Sequence, residues 1–241
     1  MRYHAHRSHM KKFVALMLFS AGCGHVASFA APEPRFTEQV VFDVDLTQGS
    51  AGPGQVKGGK WDGGWRVTSR DGERIVFDAG RPLANGRLEV SYTMSKPAHA
   101  APEAKIEFVG LYEDPALSQE KSSGDIFYAR AGEARYKYAR VKAFGRKFDK
   151  QEWENDVGRP DDWVTDDKTV QTVKLEWKQG RAIFHDVHDK LHACPKKLCG
   201  GKYPIDKLRY VALGSDEYSN VSLEGIRFLH VKLVEYAPAA P

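Results

Sequence analysis

The run Tyr136-Lys137-Tyr138-Ala139-Arg140-Val141-Lys142-Ala143 alternates bulky polar with small apolar residues. In an extended chain successive side chains leave opposite faces. Tyr136, Tyr138, Arg140 and Lys142 then share one face, and Ala139, Val141 and Ala143 share the other. The small apolar row suits an interior. Two phenols and two cations suit an anionic glycan, held by ring stacking and charge-assisted hydrogen bonds. The alternative is a solvated face whose tyrosines simply cover a sheet.

Residues 145–167 form the longest stretch without strand character, and they hold Trp153 and Trp163 among eight carboxylates. Flat rings beneath a pyranose and acceptors for its hydroxyls are what sugar recognition needs, and a loop this long is usually functional or mobile. The tryptophans could equally anchor the loop to the core. Calcium would suit such carboxylates, but no D-x-D-x-D-G register is present, so no cofactor is assigned. In His185-Asp186-Val187-His188-Asp189 the histidines fall on opposite faces of a strand, so no metal is assigned either. Cys194 and Cys199 flank a four-residue turn that starts with Pro195, and a local disulfide is expected there. Half a metal site is the other reading, but Cx4C alone supplies only two ligands.

Ten segments read as strands, rich in β-branched and aromatic residues and bounded by Gly, Pro or Asn: 40–44, 74–77, 86–94, 104–111, 125–130, 134–143, 169–177, 181–188, 208–213 and 221–234. Turn chemistry agrees, with Asn85-Gly86 before a strand and Gln179-Gly180 between two. No dozen residues keep the apolar spacing of a substantial helix, and no internal repeat is visible. The expectation is an all-β sandwich or barrel in a single domain over residues 35–236, with 237–241 as a disordered tail.

Of 241 residues, 41% are hydrophobic and 11% aromatic, enough to bury a core and exclude a disordered chain. Residues 1–30 read as a signal peptide: Lys11-Lys12, an apolar run from Phe13 to Phe19, and Ser28-Phe29-Ala30 before the cut. An uncleaved anchor is disfavoured because that run is shorter than the roughly 20 residues a span needs. A lipoprotein at Cys23 is the other alternative, with Ser20 where Leu is usual, and Met10 could be the true start. Cleavage removes Arg2, Arg7, Lys11 and Lys12 and no acid, leaving 32 basic against 32 acidic side chains. No general footprint for nucleic acid remains. A secreted or periplasmic, monomeric protein without a membrane span is expected, in a compartment where a cysteine pair oxidises.

Two further patterns carry a resemblance. Val173-Lys174-Leu175-Glu176-Trp177 leads through a turn at Gln179-Gly180 into Arg181-Ala182-Ile183-Phe184. Tyr210 to Ser215 is later followed by a long terminal strand from Ile226-Arg227-Phe228 to Val234. Over residues 38–236 this is similar to the concanavalin A-like lectin/glucanase superfamily, including the laminin-G-like jelly rolls. The resemblance implies two antiparallel sheets in a jelly-roll sandwich whose concave sheet binds or cleaves polysaccharide. The glucanase string E-x-D-x-x-E is absent; the nearest run is Glu154 to Arg159. The lyase strands R-S-E-x-R and Q-(I/V)-H are absent too. A lyase of this fold would use Tyr138 or His185 as base and Arg140 to neutralise a uronate. The leading expectation is an exported polysaccharide-binding domain using Tyr136, Tyr138, Arg140 and Lys142, with Trp153 or Trp163 at the rim. A structural envelope protein that binds another protein is a further alternative.

Overall fold

The computed structural model describes residues 35–69, 72–95, 105–115, 126–132, 136–143, 151–156, 167–185, 191–194, 204–214 and 224–239. At 105–107, 128, 130–132, 136–143 and 151–156 it describes the backbone alone. Residues 1–30, Cys23, Trp163 and Cys199 lie outside these ranges. Fifteen strands run through the described residues: β1 Phe36–Asp45, β2 Gln55–Lys57, β3 Lys60–Trp61, β4 Trp65–Arg66, β5 Arg74–Leu83, β6 Gly86–Met94, β7 Lys105–Tyr112, β8 Ile126–Gly132, β9 Tyr136–Ala143, β10 Gln151–Asp156, β11 Gln171–Lys178, β12 Arg181–His185, β13 Leu191–Ala193, β14 Leu208–Gly214 and β15 Ile226–Pro238. One 3-10 turn, Leu46–Gln48, is the only helical element among them.

The strands form two antiparallel sheets. One has eight strands in the order β13-β12-β11-β6-β15-β4-β3, with β1 also on β15, and the other has seven in the order β10-β9-β8-β7-β14-β5-β2. Alternation builds both. Along β11 every second residue (Gln171, Val173, Leu175, Trp177) is buried, and the intervening polar ones are half-exposed. The facing rows meet in one core that contains Trp65, Phe77, Leu88, Tyr92, Val109, Phe127, Trp177, Val211 and Phe228. Each large apolar side chain so buried contributes about 1.5–3 kcal/mol. The polar ends of the tryptophans are satisfied: Trp177 Nε1 donates to the Leu83 carbonyl at 3.0 Å and Trp65 Nε1 to that of Gly58 at 3.2 Å.

All ten expected strands are present, with shifted ends. The hairpin between β11 and β12 turns on Gln179 and Gly180, at φ 53° and 72°. Two positive values in succession are what a two-residue turn matched to strand twist requires. Five short strands were not anticipated, all at or near sheet edges. Leu191–Ala193 and Gln55–Lys57 have three residues each, too few for a period to show.

Two expectations need correction. The last strand runs past 234 and into the expected tail: Ala237 and Pro238 pair with Thr37 and Phe36, and the Ala239 N–H reaches the Arg35 carbonyl at 2.8 Å. Pro238 is tolerated because it ends the strand, where no ladder donor is needed. Residues 145–167 are also not strand-free, since Gln151–Asp156 forms β10 along β9. Its polar sequence hid it, because the outermost strand of a sheet needs little apolar character.

Candidate functional site

The seven-stranded sheet turns one face to the core. Directly opposed residues of antiparallel strands share a face, so the register assigns every position. Phe77, Val211, Leu111, Phe127 and Val141 follow one another across β5, β14, β7, β8 and β9 on the core side. The next row, on the outer side, runs Asp78, Tyr210, Tyr112, Ile126, Lys142 and Glu152. A second outer row runs Gln55, Val76, Ala212, Gly110, Tyr128, Arg140 and Glu154. Tyr138 and Tyr136 take outer positions opposite Arg130 and Gly132.

Tyr136, Tyr138, Arg140 and Lys142 thus occupy outer register positions on β9. Their expected companions divide. Trp153 is opposite Val141, at a register position that continues the core-side row. The outer positions of β10 are Glu152, Glu154 and Asp156, opposite Lys142, Arg140 and Tyr138. Cations on β9 therefore stand in register with carboxylates, which lowers the net charge of that end.

His185 is displaced further. It lies on β12 of the other sheet, on its outer side, 3.5 Å from the Glu176 carboxylate. The whole core separates it from β9, so His185 and Arg140 cannot serve one lyase site. Tyr138 and Arg140, on one strand, are unaffected. Cys194 is fully buried beside β13.

The outer face has a small apolar cluster of its own. Ile126, Tyr112 and Ala212 are buried there, with Val76 and Tyr210 packed against them. Gly110 makes room for it: a Cβ at that position would stand 2.5 Å from the Tyr112 ring. Toward β2 the face opens into a cleft of about 520 Å³, lined by Pro53, Val56, Lys57, Arg74, Asp78 and Tyr210 among others.

A β-bulge shapes this cleft. The register of β14 on β5 slips between Leu208 and Tyr210, and a bulge re-aims a side chain. Regular alternation would send Arg209 to the core. Instead it meets Asp78 on the outer face with two bonds, Nε to Oδ1 at 2.7 Å and Nη2 to Oδ2 at 2.8 Å. Its guanidinium carbon also lies 5.0 Å from the centre of the Tyr210 ring. The Arg209 bond, helped by the Gly80 N–H, holds the Asp78 carboxyl below the usual carboxylate range. Neither bulge nor cleft was anticipated, since neither leaves a mark in the residue pattern.

One more residue was missed. β7 is the middle strand of this sheet, and Glu107 on it stands opposite Arg130 in the outer row. A register slip between Glu107 and Val109 follows, letting Phe108 and Val109 both enter the core. Glu103, Lys105 and Glu107 have the alternate spacing of the glucanase string, one residue shorter and with Lys in place of Asp. A search for the full string passes over it; Glu103 lies outside the described residues.

No protein-family model and no curated protein matches the chain. Solved structures do. The apo Crh5 transglycosylase is 17% identical, with 82% of this chain and 85% of that one covered and a TM-score of 0.55. The CBM2 module of evolved Dit from Lactobacillus casei BL23 phage J-1 is 9% identical, with 86% and 100% covered and a TM-score of 0.54. The catalytic domain of an endo-1,3-beta-glucanase (laminarinase) from Thermotoga petrophila RKU-1 is 11% identical, with 85% and 100% covered and a TM-score of 0.53. The chain has the concanavalin A-like jelly-roll fold. At these identities the likeness concerns fold alone, and function must be argued from the site.

Proposed function

We propose that this is an exported, monomeric polysaccharide-binding protein that holds its ligand on the outer face of the seven-stranded sheet. The observation that carries this reading is the register that puts Tyr210, Tyr128, Tyr138 and Tyr136 on that one face. Tyrosine offers a flat apolar ring with a polar tip, the combination a pyranose needs. The neighbours in fold include a carbohydrate-binding module and two proteins that act on glycans. Export is supported by the N-terminal pattern, and a Cys194–Cys199 bridge by the four-residue spacing that starts with Pro195 and by the burial of Cys194. Among the described residues no helix is long and apolar enough to cross a membrane.

The test is a glycan array probed with the full chain and with Tyr138→Ala. Binding to at least one polysaccharide class, weakened in the variant, is the expected result. Silence over the whole array, or a variant that binds equally well, removes the reading.

Glu107 on the central strand favours a second reading, a glycan-cleaving or glycan-transferring enzyme with Glu107 as proton donor. New reducing ends, or transfer products, from a β-glucan would support it, with loss in Glu107→Gln. Unchanged polymer after long incubation leaves the binding reading alone.

A further inference from the structure

The cleft at the β2–β5–β14 end is balanced in charge. Lys57, Arg74 and Arg209 stand there against Asp78 and against Glu113 and Asp114, the two residues before the lining Pro115. Lys57, Arg74, Glu113 and Asp114 are each engaged by other groups, so no net field calls in an ion of either sign. What the cleft does offer is room and an acceptor. Its volume of about 520 Å³ falls in the roughly 300–1,000 Å³ of small-molecule sites. Pro53, Val76, Pro115 and the Tyr210 ring give it apolar walls.

The acceptor is Asp78. A carboxylate has about four acceptor positions. Arg209 Nε at 2.7 Å and the Gly80 N–H at 2.8 Å both donate to Oδ1, whereas Oδ2 accepts only from Arg209 Nη2, at 2.8 Å. The Asp78 side chain is 43% exposed, so Oδ2 keeps a position for an arriving donor. Arg209 also lies with its guanidinium carbon 5.0 Å from the centre of the Tyr210 ring, and that ring packs against the Tyr112, Ile126 and Ala212 cluster. One side chain, turned outward by the bulge, therefore fixes both the carboxylate and the ring.

We infer, on the basis of the binding reading, that this cleft is a subsite for an uncharged sugar unit. A ring hydroxyl donates to Asp78 Oδ2, C–H groups pack on Tyr210 and the prolines, and Arg209 is the positioning residue for both. A neutral hydroxyl is the donor that fits: an acidic unit would meet the Asp78 carboxylate, and an ammonium would meet Arg209 behind it.

Titration calorimetry of the full chain tests this with hexamers of a neutral β-1,3-glucan, a neutral β-1,4-mannan and galacturonan, at low and high salt. A neutral hexamer should bind with an affinity that salt leaves unchanged, and galacturonan should bind no tighter. D78A and R209M should each weaken the neutral ligand by about tenfold while melting close to the wild type, because the pair they break is partly exposed. R209K, which keeps one ion pair without the fork, should recover part of that loss. D78A and R209M proteins that bind as tightly as the wild type, or affinities that fall only in step with melting temperature, overturn the inference. Tighter binding of galacturonan than of either neutral hexamer overturns it too, and in all these cases the binding reading stands if Tyr138→Ala still weakens binding. No binding of any glycan, here and on the array, removes both.

Discussion

The two outer faces of this sandwich come from the same alternation but end in opposite states. On the eight-stranded sheet, charges find partners within the sheet. Arg87 meets Glu89 at 2.6 Å and Glu38 at 3.1 Å, Asp43 lies between His230 at 2.6 Å and Lys232 at 3.0 Å, and Ser91 bonds Thr172 at 3.1 Å. Burial, and next the Glu176 carboxylate, push the Tyr236 phenol up to about 12, while Arg87 donates to its oxygen at 2.8 Å. Nothing in that set points to a ligand. On the seven-stranded sheet tyrosines occupy the rows, a bulge turns Arg209 outward, and Lys57 opposes Arg74. One face closes its polar groups on one another; the other sets tyrosine rows beside an open cleft.

The largest expected effect tests whether both faces depend on the shared core. Trp177→Ala removes a fully buried ring and its hydrogen bond to Leu83, and should cost about 3–5 kcal/mol in denaturant melts. A loss below 1 kcal/mol would mean that the sheets hold without that contact.

Next comes the edge of the cleft. The Glu73 carboxylate, almost fully buried, accepts from the Thr68 and Ser69 amides and the Thr68 hydroxyl, tying the chain before β5 to its neighbours. Burial pushes its pKa up, but these bonds and one from the Gly59 N–H carry it below the ordinary 4.5. The unfolded chain then takes up the proton first. The contribution is complete above about 4.5 and is lost as pH falls through the lower folded value. Glu73→Gln should cost about 1–3 kcal/mol at neutral pH and flatten the acid limb of the stability curve; an unchanged limb would exclude this clamp.

Tyr138→Ala should weaken glycan binding by about tenfold, on the order of 1.4 kcal/mol, whereas His185→Ala should leave binding unaltered. A reversal of that ranking would exchange the roles of the two faces. The smallest effect is expected for Lys232→Ala on the solvated face. Its exposed pair with Asp43 should be worth no more than about 0.5 kcal/mol, and a larger change in thermal melts would show that the face is not merely solvated.

The sequence alone carries the sandwich. Period-2 alternation in β6, β11 and β15, turn residues such as Gln179-Gly180, and aromatic anchors such as Trp177 are local signals, because a strand's two faces are written into consecutive residues. The row on β9 was legible for the same reason. Which outer face that row joins, and what lies beside it, was decided only by tertiary structure. His185 was sent to the other sheet by strand pairing, which joins residues far apart in the chain and depends on every intervening connection. The bulge at Arg209 and the opposition of Lys57 to Arg74 arise in the same way: each is a relation between strands, and no residue encodes its neighbour across a sheet.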